Sequence, residues 1–484
     1  MGLVAFVVYL TTVAPTILAV SDTTRDAVRF QIAAPLLGIG HPTGYPTFIL
    51  IGKLFTYLPV GDAAYRLNLM AAFFGALAVA LVFLVARRLG SQLLPAAGAA
   101  LILAFSATFW SQTTMAEVYT MNATFLLGVA YLLLLWRQRG RDGFLLGAAL
   151  LYGVSLGNHA TMVLMAPAYL ALVVVGRRKE LSLGLLVKAA VAAVLGVAVY
   201  LYIPIRGFAG AWHPYYAPVS TPTEIWQLLT GARAQGRMGS SLPQMVGNLG
   251  TYTVELGRQI VTQPLGWIAA ALIVGLGALG IGTTFRRDRA VGIFLLLAFV
   301  LELLYALNFR IDDIAVFYIP TYLLLAIGLA VGVSALAARL PRAGLFVSLV
   351  PLLLAAVAVV ANQSHVDRSE EYGDRAAAQA MLDQLPADAV VYGRREIYPA
   401  VYLVLVEGQR PDVDFRHLGK LRRSKSIPCD LKSERPIFVI SNPHYNQTVS
   451  RKAGRYDARV VPEGPLLRLV PDEDSPRLQQ LSNC

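Results

Sequence analysis

The sequence predicts a polytopic α-helical membrane protein that carries a small C-terminal α/β domain outside the bilayer. Three observations lead there. Hydrophobic residues make up 56% of the chain and charged ones 14%, with a mean hydropathy of +0.58, a balance that water-soluble globules do not reach. The apolar residues are gathered into runs long enough to cross a hydrocarbon core of roughly 30 Å. Composition then changes abruptly after residue 361, where the runs stop and short strand-like segments begin.

In order, the runs are 2–20, 68–85, 93–110, 118–136, 143–157, 161–175, 185–205, 264–284, 291–307, 315–335 and 344–361, about eleven at the length one crossing needs. The first lacks the basic n-region of a secretory signal, so it reads as a retained helix. The formal net charge of +12 does not imply nucleic acid, because the basic residues sit at the ends of apolar runs. Arg87 and Arg88; Arg137, Arg139 and Arg141; Arg177, Arg178 and Lys179; Arg286, Arg287 and Arg289; and Arg339 and Arg342 follow every second run. That alternation is the positive-inside pattern. It predicts a cytoplasmic N-terminus and an extracytoplasmic C-terminus.

Residues 143–175 are apolar almost throughout, yet basic clusters lie on both sides. Both clusters can be cytoplasmic only if the chain turns back, and the one polar break is Asn158–His159. These two residues are therefore expected at the outer tip of a tight hairpin. By the same parity the outer face receives the first loop 21–67, the short segments 111–117 and 308–314, the long loop 206–261, and the tail. The predicted division is a transmembrane domain over 1–361 and a soluble extracytoplasmic domain over 362–484. In the long loop Trp212, Tyr215, Tyr216 and Trp226 interleave with Arg233 and Arg237, as an interfacial aromatic belt would.

In the tail, 389–392, 412–415 and 437–440 read as short buried strands with a helix over 397–406 between the first two. No Gly-rich phosphate loop follows any of these strands, and no internal repeat of fixed period is present. The two cysteines, Cys429 and Cys484, cannot build a zinc or redox motif; in an oxidising compartment they would pair.

The stretch DAVRFQIAAPLLGIGHPTGYP, 26–46, concentrates the chemistry. Asp26 follows the first apolar run, with Arg25 and Arg29 beside it. Alone it reads either as a solvated loop acid or, if the run 33–40 forms an amphipathic helix lying in the interface, as an acid held at headgroup height. HPTGYP places Gly44 between two prolines as a turn, which His41 would cap or orient. A metal role for His41 lacks a second His or Cys at ligand spacing. Glu117, in FWSQTTMAEVYTMN, lies where an outer segment re-enters the membrane, and Tyr119 and Asn122 follow on its helix. Glu302 lies deeper and needs a partner, for which Arg206 and Arg310 are candidates. Arg66, Arg206 and Arg310 fall on the outer face, where a guanidinium suits phosphate, whether of a substrate or of an ordinary phospholipid.

These residues in this order resemble a known family: multi-spanning proteins formerly catalogued as a domain of unknown function and grouped with protein O-mannosyltransferases in the GT-C glycosyltransferase superfamily. The stretch 26–46 with the later YRLNLMAA, FWSQTTMAEVYTMNATF, GVSLGNHATM, YIPIR and EGQRPDV carry the resemblance. The family has Glu shortly after the first acid; here Arg29 occupies that position, which puts acceptor type in question. The resemblance implies a GT-C architecture and transfer of a sugar, with inversion, from a polyprenyl-phosphate donor to an acceptor hydroxyl on the outer face. Asp26 would be the general base, and Glu117 a second acid that orients the acceptor or raises the pKa of Asp26. Arg29, His41, Tyr45, Arg66, Tyr119, Asn158, His159, Arg206 and Arg310 would line the substrate site, with Asn158 and His159 toward sugar hydroxyls and the arginines toward the leaving phosphate.

The expected partners are the polyprenyl-phosphate sugar, membrane lipids and a protein or glycan acceptor. The lipid-linked sugar is a co-substrate; a divalent metal would require Asp26, Glu117 and His41 to converge. The alternative is a multi-span transporter or lipid flippase, which would place its polar residues at the bilayer midplane and in related halves. A third is a non-catalytic assembly protein presenting the tail, in which the loop acids would be dispensable.

Overall fold

The computed structural model describes residues 1–19, 25–177, 180–214, 219–231, 236, 238–261, 264–418, 426–433, 435–455, 457–472 and 475–476. Among them, eight helices are long and apolar enough to cross a membrane: Ala63–Arg88, Tyr119–Arg139, Ala160–Arg177, Leu183–Phe208, Leu265–Arg287, Arg289–Asn308, Ile314–Ala337 and Gly344–Val366. Each corresponds to one of the predicted runs.

The other three runs give shorter helices, for local reasons. Gly2–Leu10 ends where the Thr11 and Thr12 hydroxyls bond back to Val8 and Tyr9 carbonyls and Pro15 lies just ahead. Leu93–Ala104 breaks at Phe105, and a short helix Ala107–Ser111 follows. The freed Phe105 carbonyl accepts from Asn362 Nδ2 at 2.9 Å, as a buried backbone group must find a partner. Asp142–Leu156 ends in a turn at Gly157–Asn158, and His159 caps the 3-10 turn Ala160–Met165 that opens the next helix.

That break falls where the charge pattern put it, but it is not an exposed tip. Asn158 is fully buried and His159 nearly so; Asn158 Nδ2 donates to Val118 O at 3.2 Å, and the rings of Tyr45, Tyr119 and Phe317 surround His159. Polarity marked the turn correctly, whereas its depth depends on elements far away in sequence.

Ile314–Ala337 forms the centre of the bundle, with nearly every residue buried. Its Gly328 and Gly332 meet Gly280 of Leu265–Arg287 backbone to backbone, an approach that a Cβ would block.

The first loop contributes the helix Arg25–Leu36. The sequence suggests a helix lying in the membrane interface; instead the residues from Ala27 to Ala34 are all buried. The helix packs against Pro46–Phe55 and Ala63–Arg88 on one side and against Tyr398–Leu405 of the tail on the other. Gln31 Nε2 donates to Asn68 Oδ1 at 2.9 Å, and Asn68 Nδ2 to Ala14 and Thr16 carbonyls. Its polar face is thus used inside the protein.

The tail holds a five-stranded sheet of order β2-β1-β3-β5-β4, with β1 Val390–Gly393, β2 Asp414–His417, β3 Ile437–Ile440, β4 Arg459–Glu463 and β5 Leu466–Val470. β1 runs parallel to β2 and β3, so helical crossovers are required, and Tyr398–Leu405 and Ser426–Lys432 supply them. The three predicted strands are the parallel ones. The antiparallel hairpin β4–β5, turning at Gly464 with φ +60°, has no counterpart in the sequence reading because β4 is mostly exposed and lacks an apolar face.

The tail docks on the first loop through one shared core, in which Ile17, Val28, Ile32 and Ala64 pack with Val391, Tyr398 and Tyr402. A polar clamp reinforces it: Arg375 bonds both Asp62, the N-cap of Ala63–Arg88, and Glu407. Cys429 is disulfide-bonded; its expected partner Cys484 lies outside the described residues, as do Tyr215, Tyr216, Arg233 and Arg237 of the anticipated aromatic belt. Trp226 of that belt is exposed, whereas Trp212 is half-buried against Tyr398.

Candidate active site

Asp26 stands in the first turn of Arg25–Leu36. One turn later Arg29 reaches back, Nη1 to Asp26 Oδ1 at 2.6 Å, the spacing at which side chains share a helix face. The other carboxylate oxygen, Oδ2, lies 3.4 Å from His41 Nε2. The Asp26 side chain keeps 40% of its surface accessible, against 8% for Arg29 and 13% for His41. A charge is therefore presented at an opening while its partners stay inside.

The His-Pro turn is what brings His41 there. Gly44 N donates to His41 O at 2.6 Å and Gly40 N to Gly44 O at 3.1 Å. Gly44 has φ +92°, and a Cβ on it would strike Ile203, so glycine is required. The His41 ring rests between Phe30 and Tyr45 at centroid distances of 5.2 and 4.7 Å. Its Nδ1 is buried without a hydrogen-bond partner.

Tyr45, Tyr119, His159 and Phe317 continue this wall of rings: Tyr45 to His159 at 6.2 Å, His159 to Tyr119 at 5.7 Å and to Phe317 at 5.9 Å. Glu117, just before Tyr119–Arg139, is buried and within electrostatic reach of both Asp26 and Asp313. Asn158 holds the adjacent Val118 carbonyl. Of the eleven residues expected to form the site, Asp26, Arg29, His41, Tyr45, Glu117, Tyr119 and His159 thus converge, with Asn158 behind them.

The arginines do otherwise. Arg66 spends its guanidinium on the carbonyls of Val60, Thr56 and Gly61, pinning the turn before its own helix. Arg206 donates to Leu37 O at 2.8 Å and to Leu36 O at 3.4 Å, capping the C-terminus of Arg25–Leu36, where a cation is favoured. Both are engaged with the scaffold instead of presenting free forks to a phosphate. Arg310 is exposed and makes only long contacts, 3.3 and 3.4 Å, with Gly236 and Met238 carbonyls. Neither Arg206 nor Arg310 is paired with Glu302.

Two site residues escape the sequence reading. Asp313 shares the connection that carries Arg310 and couples electrostatically to Asp26 and Glu117; the acid pair in NFRIDD was its only signal. Arg395, in the loop after β1, is exposed and adds to the positive potential at Asp26. No local pattern links the tail to the first loop. Next to it, Tyr398 lies under the Arg29 guanidinium at 5.3 Å and donates its hydroxyl to Pro214 O, so the tail roofs the site.

The charges settle into distinct states. Burial pushes the Asp26 carboxyl up, but nearby positive charge, from His41 when it is protonated and at all times from Arg29 with its hydrogen bond and from Arg395, outweighs it and leaves the pKa below the usual carboxylate value. Burial lowers His41 despite the pull of Asp26, which keeps the imidazole neutral. Burial, then Asp26 and Asp313, push the Glu117 carboxyl well above its ordinary value. Burial and Asp26 raise Asp313 to about 6. The two carboxyls are thus pushed in opposite directions, Asp26 toward its ionised form and Glu117 toward its protonated form, the kind of separation that acid-base chemistry uses. Among the described residues, no group of three His, Cys, Asp or Glu side chains is placed to hold a metal ion; Asp26, Glu117 and His41 do not form a ligand set.

Residues 26–182 match a family model described as the protein O-mannosyl-transferase TMEM260 N-terminal domain, a span that runs from Asp26 past the His159 turn. The mouse protein O-mannosyl-transferase TMEM260 is 26% identical over 421 residues, covering 80% of this chain and 58% of that protein. Its namesake in Dictyostelium discoideum is 21% identical over 451 residues, covering 80% of this chain and 54% of that protein. The chain therefore spans little more than half the length of these curated relatives.

Among solved structures, ArnT from Cupriavidus metallidurans bound to undecaprenyl phosphate superposes with a TM-score of 0.63 at 14% identity, covering 96% of both chains. The Archaeoglobus fulgidus oligosaccharyltransferase superposes with a TM-score of 0.56 at 13% identity, covering 97% of this chain and 73% of that one. The chain shares the overall fold of these two proteins.

Proposed function

We propose that this protein transfers a mannosyl unit from a polyprenyl-phosphate carrier to a hydroxyl of a protein acceptor, at the extracytoplasmic face of the membrane; the match of residues 26–182 to the TMEM260 N-terminal domain and the fold shared with ArnT support this reading. The observation that carries the reading is Asp26: an ionised, partly accessible carboxylate fixed on one oxygen by Arg29 and flanked on the other by His41.

In the proposed step the acceptor hydroxyl oxygen attacks the anomeric carbon from the face opposite the phosphate. The bond to the phosphate oxygen breaks, its electron pair leaves with polyprenyl phosphate, and the hydroxyl proton passes to Asp26. Attack opposite the leaving group inverts the anomeric centre. A carboxylate of lowered pKa is a weak base, but it is ionised throughout the physiological range, and its charge also stabilises positive charge developing on the sugar ring. Protonated Glu117 donates a hydrogen bond that orients the acceptor. Arg395 and Arg310, exposed on the site side of the tail and of the Asp313 connection, receive the departing phosphate. Binding at bilayer height from a lipid carrier is consistent with the lack of a phosphate-cradling Gly-rich loop.

The ArnT neighbour, bound to undecaprenyl phosphate, and the names of the curated relatives support the donor and acceptor classes. The test is direct: purified protein, given polyprenyl-phosphate mannose and a peptide acceptor, should release polyprenyl phosphate, and Asp26→Asn should stop this while the protein remains folded. Turnover by the variant equal to wild type would remove Asp26 from the reaction.

A further inference from the structure

The tail touches the first loop at one point of chemical consequence. Tyr398 opens the helix Tyr398–Leu405 and is fully buried. Its ring lies 5.3 Å from the centre of the Arg29 guanidinium, and that guanidinium donates from Nη1 to Asp26 Oδ1 at 2.6 Å. A residue of the tail is thus in contact with the cation that bonds Asp26. Val28 and Ile32, on the same helix as Asp26 and Arg29, pack in one core with Tyr398, so backbone and arginine are gripped together.

The ring is itself fixed from outside the site. Its hydroxyl donates to Pro214 O, and the Trp212 ring meets it edge to face at 6.5 Å. One turn further along its helix the Tyr402 hydroxyl accepts from Ala64 N at 3.0 Å, where Ala63–Arg88 begins, and Arg375 clamps Asp62 and Glu407 beside it. A ring so held presents its π face at a set place, and a guanidinium withdrawn from water is drawn to it. Arginine is rich in rotamers; a wall on one side and a carboxylate on the other leave it one orientation.

We propose that Tyr398 is a positioning residue for the transfer reaction, its ring holding the Arg29 guanidinium against Asp26 Oδ1. The proposal rests on the transferase reading above and adds to it a part for the tail. Several groups face Asp26: Arg29 on its own helix, His41 and Tyr45 from the His-Pro turn, Glu117 and Tyr119 from the start of Tyr119–Arg139, Asp313 from the connection after Arg289–Asn308, and Arg395 from the tail. Arg29 bonds the carboxylate directly. Loosening it removes a positive contact, which raises the Asp26 pKa, since a nearby opposite charge favours the ionised form.

The test uses the full chain with Tyr398→Leu, which removes the ring, Tyr398→Phe, which keeps it, and Tyr402→Phe, which weakens docking away from Arg29. Asp26 is titrated by its infrared carboxylate band, identified by subtracting Asp26→Asn, alongside the pH profile of turnover with polyprenyl-phosphate mannose. Tyr398→Leu should move the Asp26 midpoint up by about half a unit or more, a roughly threefold or larger fall in its ionised-to-protonated ratio, and lower kcat about tenfold with donor KM within about twofold. Tyr398→Phe should restore the wild-type midpoint, and Tyr402→Phe should lower the melting temperature alone. In an Arg29→Gln background Tyr398→Leu should add no further shift. An unmoved midpoint in Tyr398→Leu, or an equal shift in all three variants, would overturn the proposal. Tyr398→Met, closer in length to tyrosine, carries the same expectations if the leucine variant does not fold. If wild type releases no polyprenyl phosphate it is the transferase reading that fails, while the infrared titration still decides whether Tyr398 holds Arg29 on Asp26.

Discussion

The loop around Asp26 and the interior around Glu302 are joined by the rings of Tyr45, His159 and Tyr119, yet they are built in opposite ways. Asp26 is held on both oxygens by side chains of its own loop, on a helix whose faces are all covered. Glu302 lies within the helix Arg289–Asn308 and is paired with neither Arg206 nor Arg310, the two cations expected to serve it, whose nearest partners among the described residues are backbone carbonyls. The contrast teaches how to read a buried acid. A carboxylate held by cations of its own loop is stabilised in its ionised form, whereas one buried without a charged partner is costly to ionise.

The largest effect expected from disturbing this contrast is at Asp26. Removing a general base costs about 10²- to 10⁴-fold in rate, so kcat for Asp26→Asn, measured as polyprenyl phosphate release, should fall by that much, with donor binding retained. A loss confined to KM would move Asp26 to the binding side of the comparison.

Arg206→Ala should act on the scaffold instead. It leaves the Leu36 and Leu37 carbonyls unpaired, at a cost of about 1–3 kcal/mol, read as a lower melting temperature in detergent. Affinity for bare polyprenyl phosphate should stay the same; a weakened affinity would return Arg206 to the phosphate site.

Asp313 tests how crowded the acids are. Its pKa is raised from 3.8 to about 6 by burial and by Asp26, so the folded state binds this proton more tightly than the unfolded one. Stability from this group is present below pH 4 and is lost as pH rises through about 6. Asp313→Asn should therefore flatten the wild-type decline in melting temperature between pH 4 and 6 and raise stability at pH 7. Identical pH profiles would mean that Asp313 is not coupled to Asp26.

The smallest effect is expected from Tyr398→Phe, which loses the hydroxyl bond to Pro214 but keeps the ring under Arg29. It should cost about 1 kcal/mol and leave kcat within a few-fold. A large loss of kcat with unchanged melting temperature would give the Tyr398 hydroxyl, and not its ring alone, a part in the reaction.

Much of this molecule was legible in one dimension. Apolar run length located the membrane helices, because a lipid core demands a minimum continuous span. Polar breaks found the turn at Asn158, and the Gly/Pro turn found His41. Two of the strands that pair in parallel, β1 and β3, were visible as apolar runs because both their faces are covered, whereas β2 alternates buried and half-buried residues. The exposed β4 was not, and neither was the length of the first helix, which local threonine bonds and a proline cut short.

The sequence by itself determined the membrane class, the GT-C resemblance and the position of Asp26 ahead of the His-Pro turn, since each rests on composition or on residues close together in the chain. Only the tertiary structure decided which charges have partners. Arg206 is drawn to helix-end carbonyls that need a partner, Arg66 to the carbonyls of the turn before its own helix, and Asp313 and Arg395 reach Asp26 electrostatically from distant segments. Pairing is a property of three-dimensional proximity and burial, and neither is encoded in spacing along the chain.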